Sequence, residues 1–437
     1  MLTRRDALRA FGLAGLAVAG IGTFTACGES SPDTAGAGSV GLATSDVRRR
    51  AGDARTMPEA VAAVQAFTAD LYRAAAAGTP ENLVLSPYSV AIALAMVRNG
   101  AVGPTASEID DVLHAPGRPA LDSGMNALTR HVESRAGEHE LPEGETAEVA
   151  VSVASSLWGQ RDLTWEQEFL DVLAREYGAG VRLVDYRADA EGARGLINEW
   201  TAEHTAGKIP QLVPEGVLDE LTRLVLVNAI HFKAPWKEPF EGEESDVPFT
   251  LTTGERVEVD MVSQQVGAAS YAEGDGWVAA GLPYVGDELA MALVVPEDLA
   301  DFEAELDREV LAGLLEGLSP QGPVRVVMPR WDFRGRVALN QVLSQLGMPR
   351  AFDPDRADFT AMTREERLHL THVLHEATVT VDEKGTEAAA ATAAVMGITS
   401  APVGPPLEVV ADRPFLFVIH DVATATPLFV GRVADPR

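Results

Sequence analysis

The chain has 437 residues, 46% of them hydrophobic and 23% charged, enough apolar content for one large domain or two of ordinary size. Its 65 acidic residues outnumber the 35 basic ones, giving a formal charge of −30 that repels phosphate backbones and excludes nucleic acid as a partner. No run of Lys and Arg offers a polyanion site either, since the basic cluster Arg48-Arg49-Arg50 falls in a segment that reads as linker.

The first element in chain order is an export signal. Arg4-Arg5 precede an apolar stretch rich in Gly and Ala, Phe11 to Ala26, which is too short to cross a bilayer comfortably as a mature helix. The arginine pair points to the twin-arginine route. Cys27, the single cysteine, follows Thr25-Ala26 as in a bacterial lipoprotein cleavage box, although Phe24 stands where that box usually has Leu. Acylation of Cys27 would tether the protein to the outer face of the bacterial plasma membrane and leave a domain built without disulfides. Ordinary secretion and an uncleaved anchor are the alternatives. Residues 1–27 are therefore assigned to the signal, residues 28–57 to a flexible tether without apolar period, and residues 58–437 to one domain, expected to be monomeric.

Helical periodicity opens the domain at Glu59–Ala77. Leu83-Val84-Leu85 reads as a short strand. Ser86 follows as an N-cap with Pro87 at the first helical position, and Val90, Ala91, Leu94 and Val97 share a face before Asn99-Gly100 stops the helix. Thr105-Ala106-Ser107-Glu108 has the form of a capping box. Further helical patterns cover Thr164–Tyr177, Gly192–Thr205 and Val337–Leu346. Runs apolar on both faces predict buried strands at Leu224–Ile230, Leu289–Val295, Val324–Met328, Phe415–Ile419 and Pro427–Val433. Helices mostly early and strands mostly late predict an α+β fold with large, mainly antiparallel sheets.

Two polar residues stand out in these strands. Val373–Val381 alternates, with Val373, His375, Ala377, Val379 and Val381 on one face, and Asn228 interrupts the apolar run Leu224–Ile230. Each would cost about 1–3 kcal/mol if buried unpaired, so mutual hydrogen bonding is the simplest solution. After the alternating strand, Asp382-Glu383-Lys384-Gly385-Thr386-Glu387 runs into Ala388-Ala389-Ala390-Ala391-Thr392-Ala393-Ala394. An alanine-rich helix is one reading. Against it, the run is short, has no apolar stripe and continues a strand, and Gly397, Pro402, Gly404, Pro405 and Pro406 then break regular structure. The pattern is a strand, a run of very small residues and an exposed loop.

At this point the chain resembles the serpin family. The hinge Glu383 to Thr392 is similar to that family's signature of an acid, any residue, Gly, Thr, Glu and then small residues. Matching blocks also occur at 82–109, 198–213, 226–240, 328–362 and 413–432. The resemblance implies the serpin fold and an inhibitor that forms a covalent complex with a serine protease, needing no cofactor. The protease cleaves the exposed loop and is held as an acyl-enzyme while the freed loop enters the main sheet as an extra strand. On that implied strand Thr386, Ala388, Ala390 and Thr392 share the inward face with all side chains small, while Glu387 points the other way, toward solvent. The family's latch beneath the sheet falls on Ser86, Ser89, Asn228 and His375. Counting from Gly385 places the scissile bond at Thr399–Ser400; counting back from Arg413-Pro414-Phe415 places it near Val403. Met396, Ile398, Thr399 and Ser400 carry no charge, which suits elastase-like or subtilisin-like proteases better than trypsin-like ones.

Two other readings compete. An enzyme lacks its usual marks here, with no Gly-x-Ser-x-Gly elbow and no His-Glu-x-x-His motif. His369, His372 and His375 have metal-like spacing on a helix, but on a strand His372 faces away from the other two, so no metal site is expected. A serpin acting only as a binding protein or chaperone is the second alternative, and the small-residue hinge argues against it.

Overall fold

Strands that are apolar on both faces need cover on both sides. The computed structural model describes residues 40–141, 145–387 and 407–437, and its strands form three sheets. The largest has the order Gly41–Ala43, Val181–Val184, Thr146–Gln160, Leu224–Pro235, Gly385–Thr386, His372–Asp382, Trp331–Ala338, with Gly137–Glu140 paired off that path. One face of this sheet looks into the main core, where helix Pro87–Arg98 lies with residues 87–97 all buried. The opposite face carries a smaller cluster that includes Trp158, Val225, Val227, Ala229 and Leu374, roofed by Ile197 and Trp200 of helix Tyr186–His204. That two-sided cover explains the unbroken apolar runs.

A second sheet holds Leu289–Pro296, Phe415–Asp421 and Thr426–Val433 at its centre, and a third joins Leu407–Val410, Val324–Pro329, Arg256–Val266 and Gly242–Thr250. Pairings are mainly antiparallel, with parallel exceptions that include Leu224–Pro235 against His372–Asp382. The architecture is α+β, as expected. The helix foreseen over Glu59–Ala77 spans Met57–Ala76, and the short strand Leu83–Leu85 stands as read. The pattern over Thr164–Tyr177 divides into helix Gln167–Val172 and a wider π turn, Leu173–Tyr177.

Two local expectations are corrected, and one strand was not foreseen. Thr105 does not cap a helix: the helix Gly103–Val112 begins earlier, with Pro104 in its first turn, and the Thr105 hydroxyl accepts from the Asp358 amide while Glu108 binds Arg350. The long strand Thr146–Gln160 escaped notice because its Ala, Ser, Val and Glu give little hydrophobic contrast until Leu157-Trp158. The tether assigned to residues 28–57 also ends too late. Gly41–Ala43 pairs antiparallel with Val181–Val184, Arg49 binds Asn126 Oδ1 at 3.0 Å, and Arg50 meets the buried carboxylate of Glu176 at 2.8 Å. Arg50 is thus a structural counter-charge, and Arg49 pairs with Glu133 at 3.3 Å as well, which composition alone does not reveal.

Candidate functional site

The site lies along the line where Leu224–Pro235 and His372–Asp382 meet. At one end the two strands pair directly and in parallel, from His372 opposite Val225 to Ala377 opposite Ile230. At the other end they part around the hinge. The strand stops at Asp382, whose carboxylate accepts from the amides of Lys384 (2.8 Å) and Gly385 (3.1 Å) and so closes a tight turn. Gly385 and Thr386 then run back between the strands, opposite Asp382 and Val381 on one side and Pro235 and Ala234 on the other. Gly385 must be glycine here: its φ is +152°, and a Cβ would come within 2.4 Å of the Ala234 carbonyl oxygen.

The four residues expected to form a latch meet at the paired end, on the core side of the sheet. Asn228 and His375 sit directly opposite each other in the ladder, with His375 Nδ1 2.6 Å from Asn228 Oδ1. Helix Pro87–Arg98 brings its N-terminus beneath them. The Ser86 amide donates to His375 Nε2 at 3.0 Å, which makes that nitrogen the acceptor and leaves the ring proton on Nδ1 for Asn228. Ser86 serves as N-cap as well, its hydroxyl accepting from Ser89 N–H and donating to Leu428 O. Ser89 Oγ lies 2.7 Å from Asn228 Oδ1, and the Asn228 amide donates to Ser155 Oγ at 2.8 Å. Burial pushes the His375 imidazolium pKa down to about 3, so the ring is neutral. With its Nε2 lone pair taken by Ser86, His375 has none to give a metal; His369 precedes the strand and lies outside this network.

All four latch residues read from the sequence therefore meet. Ser155 was missed, because nothing distinguishes one serine from its neighbour Ser156 before the register of Thr146–Gln160 is known. Of the hinge residues, Glu383 is held by Arg330 Nε at 3.0 Å, and its carbonyl accepts from the Phe240 amide. Thr386 is wholly buried on the core side, its hydroxyl 2.7 Å from that of Tyr284. The hinge is thus already seated by two residues before any cleavage.

Glu387 corrects a further expectation. Instead of reaching solvent, its carboxylate is buried on the outer face, 2.8 Å from His231 Nε2 and 3.0 Å from Lys208 Nζ. Burial opposes its charge, but His231 and Lys208 outweigh that penalty and hold the carboxyl below the usual glutamate range. Its backbone is left-handed, with φ +52°. Neither partner was legible beforehand, since Lys208 and His231 lie far from the hinge in sequence. Ala388, Ala390, Thr392, Met396, Ile398, Thr399, Ser400 and Val403, like Cys27, lie outside the described residues.

Comparison with known proteins places this geometry. A family model described as Serpin (serine protease inhibitor) matches residues 62–436. Leukocyte elastase inhibitor A of Rattus norvegicus is 34% identical over 381 residues, covering 85% of this chain and 97% of that protein. An uncharacterized serpin-like protein of Thermococcus kodakarensis is 35% identical over 383 residues, 86% of each chain. Among solved structures, the thermophilic serpin tengpin in its native state superposes with a TM-score of 0.76 at 25% identity, covering 90% of this chain and 97% of that one. The chain belongs to the serpin family of serine protease inhibitors.

Proposed function

We propose that this protein is a single-use inhibitor of elastase-like or subtilisin-like serine proteases, cut at Thr399–Ser400 and acting by insertion of its cleaved loop. The observation that carries the reading is the seat of Gly385–Thr386 between two strands that pair with each other further along. Continuing that register sets residue 388 opposite Phe232 and Val379, residue 390 opposite Ile230 and Ala377, and residue 392 opposite Asn228 and His375. Every one of those neighbours is fully buried on the core side. Ala388, Ala390 and Thr392 are small enough to enter, and Thr392 carries a hydroxyl to the polar pair that it would separate. The inserted strand would be antiparallel to both neighbours, replacing one parallel ladder by two antiparallel ones. The uncut state is then a kinetic trap.

The uncharged bait Met396, Ile398, Thr399 and the relatives named leukocyte elastase inhibitors support the target class. Incubation with an elastase or a subtilisin should give a denaturant-resistant covalent complex and sever residues 400–437, which separate as a short peptide only under denaturing conditions because Phe415–Asp421 and Thr426–Val433 are buried strands. The cut chain should melt far above the intact one, where an ordinary nicked domain melts at or below it. Thr386→Arg should shift the outcome from complex to simple cleavage. Because Thr386 is already buried, that change should also expel the hinge in the uncut protein, as a lone guanidinium is not tolerated there. Clean cleavage of the natural protein, with no complex, would favour a non-inhibitory serpin.

The reading extends to location. Acylation of Cys27 would hold the inhibitor at the outer face of the plasma membrane. Cys27→Ala should release the protein from membranes or block its processing; unchanged retention would favour an uncleaved helical anchor.

A further inference from the structure

We propose that Lys208 and His231 are positioning residues that hold the Glu387 carboxylate and so keep the uncut loop from entering the sheet beyond Thr386. The proposal rests on the loop-insertion reading above and deepens it by naming what arrests the hinge. Two observations carry it. The first is the conformation of Glu387. Its amide still bonds Thr380 O at 2.9 Å, but φ +52° turns the chain out of the sheet there, and a left-handed glutamate is an unfavourable conformation that persists only when its surroundings hold it. The holding groups are His231 at 2.8 Å and Lys208 at 3.0 Å, on a carboxylate that is only 4% exposed. To join an inserted strand Glu387 must become extended opposite Lys233 and Thr380, so that its carboxylate gives up the His231 flank to residue 389.

The second observation is where the clamp sits. The hinge register sets residue 389 of an inserted strand between His231 and Thr378 on the outer face. The Glu387 carboxylate already occupies the His231 flank of that position, and Thr378 Oγ1 is buried without a partner among the described residues. Lys208 comes from the segment after helix Tyr186–His204, which lies across the outer face with Ile209, Leu212 and Val213 packed on the sheet. The same segment is tied a second time, by Arg336, which donates to Gln211 O and pairs with the buried Glu376 carboxylate. The hinge carboxylate is therefore fastened to a covering segment that is itself fastened to the sheet. Entry of the next residue requires the His231–Glu387 pair to open and Lys208 to let go.

The test uses the whole chain and two variants, Glu387→Gln and Lys208→Met. Intact protein is held without protease below its melting temperature and assayed over time for covalent complex formation with an elastase or subtilisin. Both variants should lose that capacity about tenfold faster than the natural protein, the factor for a barrier lowered by ~1.4 kcal/mol. Amide exchange on the uncut chain provides an arm independent of any protease: the Glu387 amide should lose protection in both variants. Variants that exchange and decay at the natural rate overturn the clamp. If the natural protein forms no covalent complex, the insertion reading fails, while faster exchange at Glu387 would still support the clamp's hold on the hinge.

Discussion

The two ends of the line between Leu224–Pro235 and His372–Asp382 are held by different chemistry. The paired end is closed by neutral, fully buried groups, His375, Asn228, Ser86 and Ser89, whose bonds are short and leave no donor of His375 idle. The parted end is held by charges near the edge: Glu387 with His231 and Lys208, and Glu383 with Arg330. Neutral directional bonds in a dry interior are costly to break singly, so the paired end should hold or part as a unit. An ion pair with one half-exposed partner is screened and weak, which suits it to adjusting a rate. A strand entering from the parted end would meet the weaker fastening first and the stronger one last.

The comparison can be broken most directly at Asn228. Asn228→Ala strands the His375 Nδ1–H and removes the side-chain bonds to Ser89 and Ser155, whose hydroxyls keep Ser86 O and Ser89 O as acceptors. It should lower the unfolding free energy of the intact protein by about 2–4 kcal/mol, read from its denaturant midpoint. The cleaved form, whose polar pair would already be parted, should lose much less. Equal losses in the two forms would mean that this network is ordinary core, not a latch.

Acid offers a graded test, smaller within any one pH unit. The His375 pKa is about 3 in the fold, below its ordinary value near 6.5, so the unfolded chain binds more protons in between. Its stabilisation is complete above pH 6.5 and declines as pH falls toward 3, at up to ~1.4 kcal/mol per pH unit. His420, also buried and pushed down to about 4, adds a decline of the same sign. His375→Gln should therefore make the acid slope shallower by about one proton without abolishing it. An unchanged slope would show that His375 is not the titrating group.

The smallest equilibrium effect belongs to the charged end. Lys208 is about half exposed, so Lys208→Met should change the unfolding free energy by about 1 kcal/mol or less, even though it shortens the inhibitor's working life. A loss as large as that of Asn228→Ala would erase the distinction between latch and clamp.

Much of this was legible in the chain itself. The apolar runs located the central strands because burial on both faces leaves no room for alternation, as at Leu289–Pro296 and Phe415–Asp421. Ser86-Pro87 marked a helix start through local capping chemistry alone. Asn228 and His375 drew attention because a polar group in an apolar setting must find a partner. Which partner each finds is a different matter. The pairing of His375 with Asn228, the addition of Ser155, the docking of Arg50 on Glu176 and the enclosure of Glu387 by Lys208 and His231 all join residues distant in sequence. Local propensity acts over a few residues, whereas these contacts depend on strand register and on which helix covers which face. For that reason the sequence by itself determined the doubly buried strands, the Ser86 cap and the small-residue hinge, and only the tertiary structure decided the course of Thr146–Gln160 and that the hinge is already seated at Thr386 and fastened at Glu387.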